Sequence, residues 1–209
     1  VTRTARRAAW LLGLGAWTGI AASQSDPLAA RSKGRADAPV VVYEMADFQC
    51  PACRMFALQT MPLIDREYIA TGKVRWVFVH YPLTSIHANA AAAAQLATCA
   101  AYQGKFWTVH DLLYAQQDEW AELRDPTAYF LTLAATARLD RGQLNRCVQG
   151  TAARAEVEGD AQRAVRTGAH STPTFYIEGG LLPGAAPMAV FRQVLDSIHR
   201  SKRPPAPRG

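Results

Sequence analysis

Cysteine and histidine are scarce in this chain, four and five among 209 residues. They are also scattered, apart from one pair. A zinc site asks for two close pairs of Cys or His. Here only Cys50 and Cys53 stand together; Cys99, Cys147 and the histidines are isolated. The expectation is therefore no metal and no prosthetic cofactor. Long apolar runs are missing as well. Residues 8–22 are only weakly apolar and are interrupted by Gly13, Gly15 and Gly19, whereas a spanning helix needs about 20 apolar residues. A multi-span membrane protein is excluded. No internal repeat is visible, so a solenoid is excluded too. The glycines of GLGAWTG are wrongly spaced for a dinucleotide fingerprint, and no strand precedes them.

A basic folded surface is also lacking, although the net charge is +6. Arg3, Arg6, Arg7, Arg31, Lys33 and Arg35 against Asp26 and Asp37 leave residues 1–38 at +4. Arg200, Lys202, Arg203 and Arg208 put residues 200–209 at another +4, so residues 39–199 carry −2. The charge belongs to the ends, and a nucleic-acid partner is not expected.

What is present begins with an export pattern. Three arginines precede the weakly apolar stretch, and Ala21-Ala22-Ser23 resembles a cleavage site. Residues 1–23 are read as a signal peptide or, alternatively, an N-terminal membrane anchor. Either reading puts the body of the protein in the periplasm or another extracytoplasmic space. Residues 24–38 are polar and broken by Pro and Gly, and read as a linker. One domain follows over 39–199, then a disordered basic tail over 200–209.

Within the domain, residues 39–47 read as a central strand and 51–71 as a helix kinked at Pro62. Gly72 should end that helix. Residues 74–81 read as a second strand, parallel to the first. Helices are expected over 85–102, 106–115, 126–137, 140–150 and 152–167, which look like an α-helical subdomain inserted at about 85–168. After Gly168 strand signal returns in TPTFYIEGGLLPG, from Thr172, with Gly179-Gly180 as a hairpin turn, and a helix over 189–200 closes the fold. His80, His87, His110 and His199 read as surface or packing residues. His170 is a loop histidine near enough to Pro173 to be considered for the site.

The pair Cys50-Pro51-Ala52-Cys53 carries the chemistry. It follows the strand VVVY and opens a helix, where unpaired N–H groups and the helix dipole favour a thiolate. The thiolate is the form that attacks a disulfide. A bridge between residues i and i+3 removes little chain entropy, so this pair is a poor staple and a good redox switch. Cys99 and Cys147, 48 residues apart, suit a structural disulfide, with a second redox relay as the alternative.

Four blocks in order carry a family resemblance: GRADAPVVVYEMADFQCPAC, CAAYQGKFWTVHDLL, LDRGQLNRCVQG and TGAHSTPTFYIEGG. The chain resembles DsbA-like thiol–disulfide oxidoreductases, which have a thioredoxin fold with a helical insertion. The resemblance implies an α/β fold with Cys50 as the attacking and Cys53 as the resolving cysteine. It implies a cis bond before Pro173, with Thr172 exposing backbone to an extended client. It makes Glu44 a buried acid moving a proton to or from Cys53, while Asp47 ends the strand. Implied partners are reduced or misoxidised client proteins and a membrane redox partner, a quinone-linked re-oxidant or a reductant. A monomer is expected. The family's best-known oxidases carry His where this chain has Ala52, so Cys50 is expected to be less acidic than theirs. Two rivals to an oxidase are a reductase or isomerase kept reduced by a membrane donor, and a client-binding chaperone with incidental thiols.

Overall fold

The computed structural model describes residues 28–202. The signal or anchor reading of 1–23 and most of the tail lie outside them. A five-stranded mixed sheet forms the centre; its first strand, β1 (Ser32–Lys33), lies at one edge of the order β1-β3-β2-β4-β5. β2 (Val40–Ala46) and β3 (Val74–His80) are parallel, with Val42 opposite Trp76 and Glu44 opposite Phe78. β4 (Thr174–Ile177) runs antiparallel to β2, and β5 (Gly180–Pro183) antiparallel to β4. The connection from β2 to β3 runs through α1 (Pro51–Met55) and α2 (Met61–Ile64). Wide turns over Phe56–Thr60 and Asp65–Ile69 continue the helical path. Pro62 has no N–H to give to the carbonyl four residues back. The backbone widens just before it, and Met61 N–H bonds Phe56 O, five residues back.

Alternation along the strands builds two faces. Val40, Val42, Trp76 and Phe175 pack with Phe56, Ile64, Phe191 and Leu195, beneath α1, α2 and α9 (Met188–Ser201). Met45 and Val79 look the other way, onto Ala164. The helical insertion runs from α3 (Ala90–Ala101) through α4 (Phe106–Ala115), α5 (Gln117–Trp120), α6 (Thr127–Thr136) and α7 (Arg141–Gln149) to α8 (Ala152–Thr167). Its core includes Phe106, Val109, Leu113, Tyr114 and Trp120, and is continuous with Phe48, Cys50, Cys53 and Phe78. Insertion and sheet therefore meet at the cysteine pair.

Three expectations need correction. The linker expected over 24–38 is not free in its described part: from Ala29 the chain makes a 3₁₀ turn, and β1 (Ser32–Lys33) pairs with β3. Polar composition hid this because Arg31 is fully buried, paired with Asp160 and with Glu156 at 2.9 Å. The first insertion helix starts at Ala90 rather than Ser85. Asn89 gives its side-chain amide to the carbonyls of Trp120, Ala121 and Leu123, which anchors the approach as a loop. The hairpin turn is Glu178-Gly179, both with positive φ, and Gly180 already pairs with Ile177. A two-residue turn with both centres left-handed matches the twist of its strands.

Cys99 and Cys147 form a disulfide between α3 and α7. Closing a loop of 48 residues' separation restricts the unfolded chain by about 4 kcal/mol at 25 °C. Replacing both cysteines with Ala is expected to lower the free energy of unfolding in urea by about 3–4 kcal/mol. The Cys50 titration should not move.

Candidate active site

Cys50 is the residue that caps the start of α1, with Pro51 in the first helical position. A proline fits there because the N–H it lacks would have had no helical partner. Cys50 is 7 % exposed and Cys53, one turn in, is fully buried. Both are free thiols. The Cys53 thiol, donating to the Cys50 sulphur, pulls the Cys50 pKa down to about 6 against the opposing effect of burial. The N–H groups of Cys53 and Ala52 at the helix start add to the depression. Cys53 moves the other way, well above an ordinary thiol, because burial and the adjoining Cys50 disfavour a second charge.

Facing the pair is the loop between α8 and β4. The Thr172–Pro173 peptide bond is cis, and Thr172 O lies 3.4 Å from Cys50 Sγ, accepting from the thiol. Thr172 Oγ1 is buried with no hydrogen-bond partner among the described residues. The Thr172 side chain adds to the depression of the Cys50 pKa.

Glu44 lies on the β2 face beneath α1 and is almost fully buried. Trp76 Nε1 donates to its Oε2 at 2.7 Å, and Oε1 has no partner among the described residues. Burial raises its pKa to about 7 despite the Trp76 bond. Its charge further disfavours the Cys53 thiolate. The acid is thus poised to gain or lose a proton near neutrality, next to the thiol that must do the same. Asp47 ends β2 as expected, and is more than a strand end. Its carboxylate accepts from Gln49 N, Leu83 N and His87 Nδ1 at 2.7–2.8 Å.

The structure brings together Glu44, Cys50, Cys53, Thr172 and Pro173. Cys99 and Cys147 sit apart, bonded to each other. His170 is exposed in the loop before Thr172. His80 and His110 are buried packing residues, and burial depresses the pKa of both. Sequence reading missed the side chains that hold the turn. Gln49 bridges Asn89 N and Ala121 O, and Gln117 bonds the carbonyls of Phe48 and Cys50. No motif marks a glutamine of this kind; only the position of Gln49 beside Cys50 offered a clue. Among the described residues no group of His, Cys, Asp or Glu is placed to hold a metal. No helix there is long and apolar enough to cross a membrane.

A family model described as "Thioredoxin" matches residues 29–197. The chain superposes on alpha-DsbA1 of Wolbachia pipientis with a TM-score of 0.72 at 24 % identity, over 82 % of this chain and 91 % of that one. It is 30 % identical over 155 residues to the probable disulfide bond formation protein D of Bacillus anthracis, covering 72 % of this chain and 70 % of that protein. The chain is a DsbA-like member of the thioredoxin superfamily. A third similarity is to a longer protein. The Na(+)/H(+) antiporter NhaA 3 of Salinispora tropica is 36 % identical over 175 residues, 84 % of this chain. The chain spans about a quarter of that protein's length, 26 %.

Proposed function

We propose that this DsbA-like chain is an exported thiol–disulfide oxidoreductase that introduces disulfides into client proteins through Cys50 and Cys53. The observation that carries the reading is the opposed acidity of the two thiols, one favoured as a thiolate and the other held protonated. A client thiolate attacks Cys50 of the Cys50–Cys53 disulfide. The S–S bond breaks, a mixed disulfide forms, and Cys53 leaves and takes up a proton. A second client thiolate then attacks the client sulphur. The client disulfide forms, and Cys50 departs as the stabilised thiolate. Two electrons have moved to the protein, and a low-pKa leaving thiol speeds the last step. Glu44, protonated below about pH 7, is the proton donor for Cys53. Thr172 offers backbone to an extended client, as an added strand would need. A membrane redox partner, quinone-linked, returns Cys50 and Cys53 to the disulfide. The Cys99–Cys147 disulfide supports an oxidising compartment outside the cytoplasm, and the name of the Bacillus relative supports the direction.

The test is direct. Oxidised protein mixed with a reduced, unfolded dithiol client should yield client disulfide in stoichiometric amount. In intact cells Cys50 and Cys53 should be mostly oxidised; a mostly reduced pair would make the protein a reductase or isomerase.

Glu44→Gln separates the acid's two effects. Protonated Glu44 is favoured in the fold, so its ionisation adds no cost below about pH 4.5. The cost grows as pH rises toward about 7, where the folded group ionises. An amide never meets this cost. The stability of Glu44→Gln relative to wild type should therefore rise by about 3 kcal/mol between pH 4 and pH 8. Release of Cys53 should slow by about a hundredfold, the lower end of general acid–base effects. Urea unfolding across pH and stopped-flow exchange measure the two.

A further inference from the structure

The turn that carries Cys50 is held from outside the thioredoxin core. Gln117, at the start of α5 in the helical insertion, is 3 % exposed. Its single amide nitrogen donates to Phe48 O at 2.6 Å and to Cys50 O at 3.1 Å. Tyr114 OH, one turn earlier in the insertion, donates to Asp47 O at 3.3 Å. Three carbonyls in four consecutive residues are thus bound by side chains from the insertion. Cys50 O also accepts the first helical bond, from Arg54 N. Arg54 in turn gives Nε to Tyr114 O at 3.0 Å, so the contact runs in both directions.

Carbonyl oxygens are the negative ends of peptide dipoles; one of the two clamped here belongs to Cys50 itself and the other to Phe48, two residues earlier. Left free, they would repel a thiolate and turn as the loop relaxes. Bound by one amide, their charge is partly offset and their peptide planes are fixed. The N–H groups of Ala52 and Cys53 then stay directed at the sulphur. The oxidised pair carries no charge there, so the benefit falls on the reduced form alone.

We propose that Gln117 is a positioning residue for the Cys50–Cys53 couple, clamping the Phe48 and Cys50 carbonyls so that the start of α1 stabilises the Cys50 thiolate. The inference rests on the redox reading above, yet it is measured on the thiol itself. The helical insertion thereby sets the redox behaviour of the site as well as covering it.

The experiment titrates thiolate absorbance in the reduced protein and equilibrates the pair with glutathione. Gln117→Met keeps the length and apolar packing and removes both donated bonds. Its Cys50 midpoint should rise by about one pH unit, a tenfold change in the dissociation constant. Its equilibrium with glutathione should shift toward the disulfide. Gln117→Leu supplies a second uncharged variant of similar size, and its midpoint should rise too, since it has no hydrogen to give. Leu144→Ala, in the insertion core away from the turn, lowers stability without touching either carbonyl. Its midpoint should stay at the wild-type value. A wild-type midpoint in both folded Gln117 variants would overturn the proposal, as would an equal rise in Leu144→Ala. Should the wild-type protein fail to oxidise clients while the Gln117 midpoints still rise, the redox direction fails and the clamp stands.

Discussion

Cys50→Ser is expected to abolish client oxidation to below detection, while Cys53→Ser is expected to trap the protein in a mixed disulfide. The asymmetry follows from burial and acidity. Cys50 is the less buried of the two thiols and the one favoured as a thiolate. A hydroxyl in its place forms no disulfide and leaves only the buried Cys53, whose thiolate is disfavoured. With Cys53→Ser, Cys50 still attacks an oxidised client or oxidised glutathione, and no second thiol stands behind it to release the adduct. Mass spectrometry after acid trapping distinguishes the outcomes.

The same position yields a finer result. The Cys53 thiol is the largest single cause of the low Cys50 pKa. Serine keeps a donor there and alanine does not. The Cys50 midpoint should stay near 6 in Cys53→Ser and climb toward the ordinary thiol value of about 8.5 in Cys53→Ala. A client-binding chaperone with incidental thiols predicts otherwise. It would suppress aggregation equally well with both cysteines replaced by serine.

Much of this site was legible because its chemistry is local in sequence. Strand, cysteine pair and helix start are contiguous, and the helix-end effects follow from that order alone. Glu44 was legible through the family resemblance, at the position of the family's buried acid six residues before Cys50. Its partner Trp76 was not, because a tryptophan in an apolar strand looks like core whether or not its N–H has an acceptor. Gln117 and Asn89 were illegible for a related reason. Their amides satisfy carbonyls nearly 70 and more than 30 residues away, and such pairing has no period and no fixed spacing. The π-type widening before Pro62 was half legible: the proline announces a lost bond, but packing decides whether the helix kinks, breaks or widens.

Arg31→Ala is expected to cost about 3 kcal/mol or more of folding stability, which a linker arginine would not. Arg31 has no exposed surface, and neither does Asp160; Glu156 completes the contact at 2.9 Å. Removing one member of a buried pair leaves the other charged and desolvated, which costs more than the pair contributes. Asp160 keeps Arg163 and the His80 N–H, which holds the loss toward the lower end. Arg31→Met combined with Asp160→Leu removes both charges and should recover part of the stability, the His80 N–H and Glu156 being left without these partners. The damage should also be local. Arg31 ends the turn that delivers β1 to β3, at the register Ser32 to Val77 and Lys33 to Trp76. Amide exchange should accelerate there before it does at β2 or β4. The Cys50 titration should be unchanged, because the ion pair lies on the α8 side of the sheet and α1 on the other. An arginine in a polar stretch carries no mark of this role. Its charge argues for solvent until the partner on α8, 129 residues away, is brought against it.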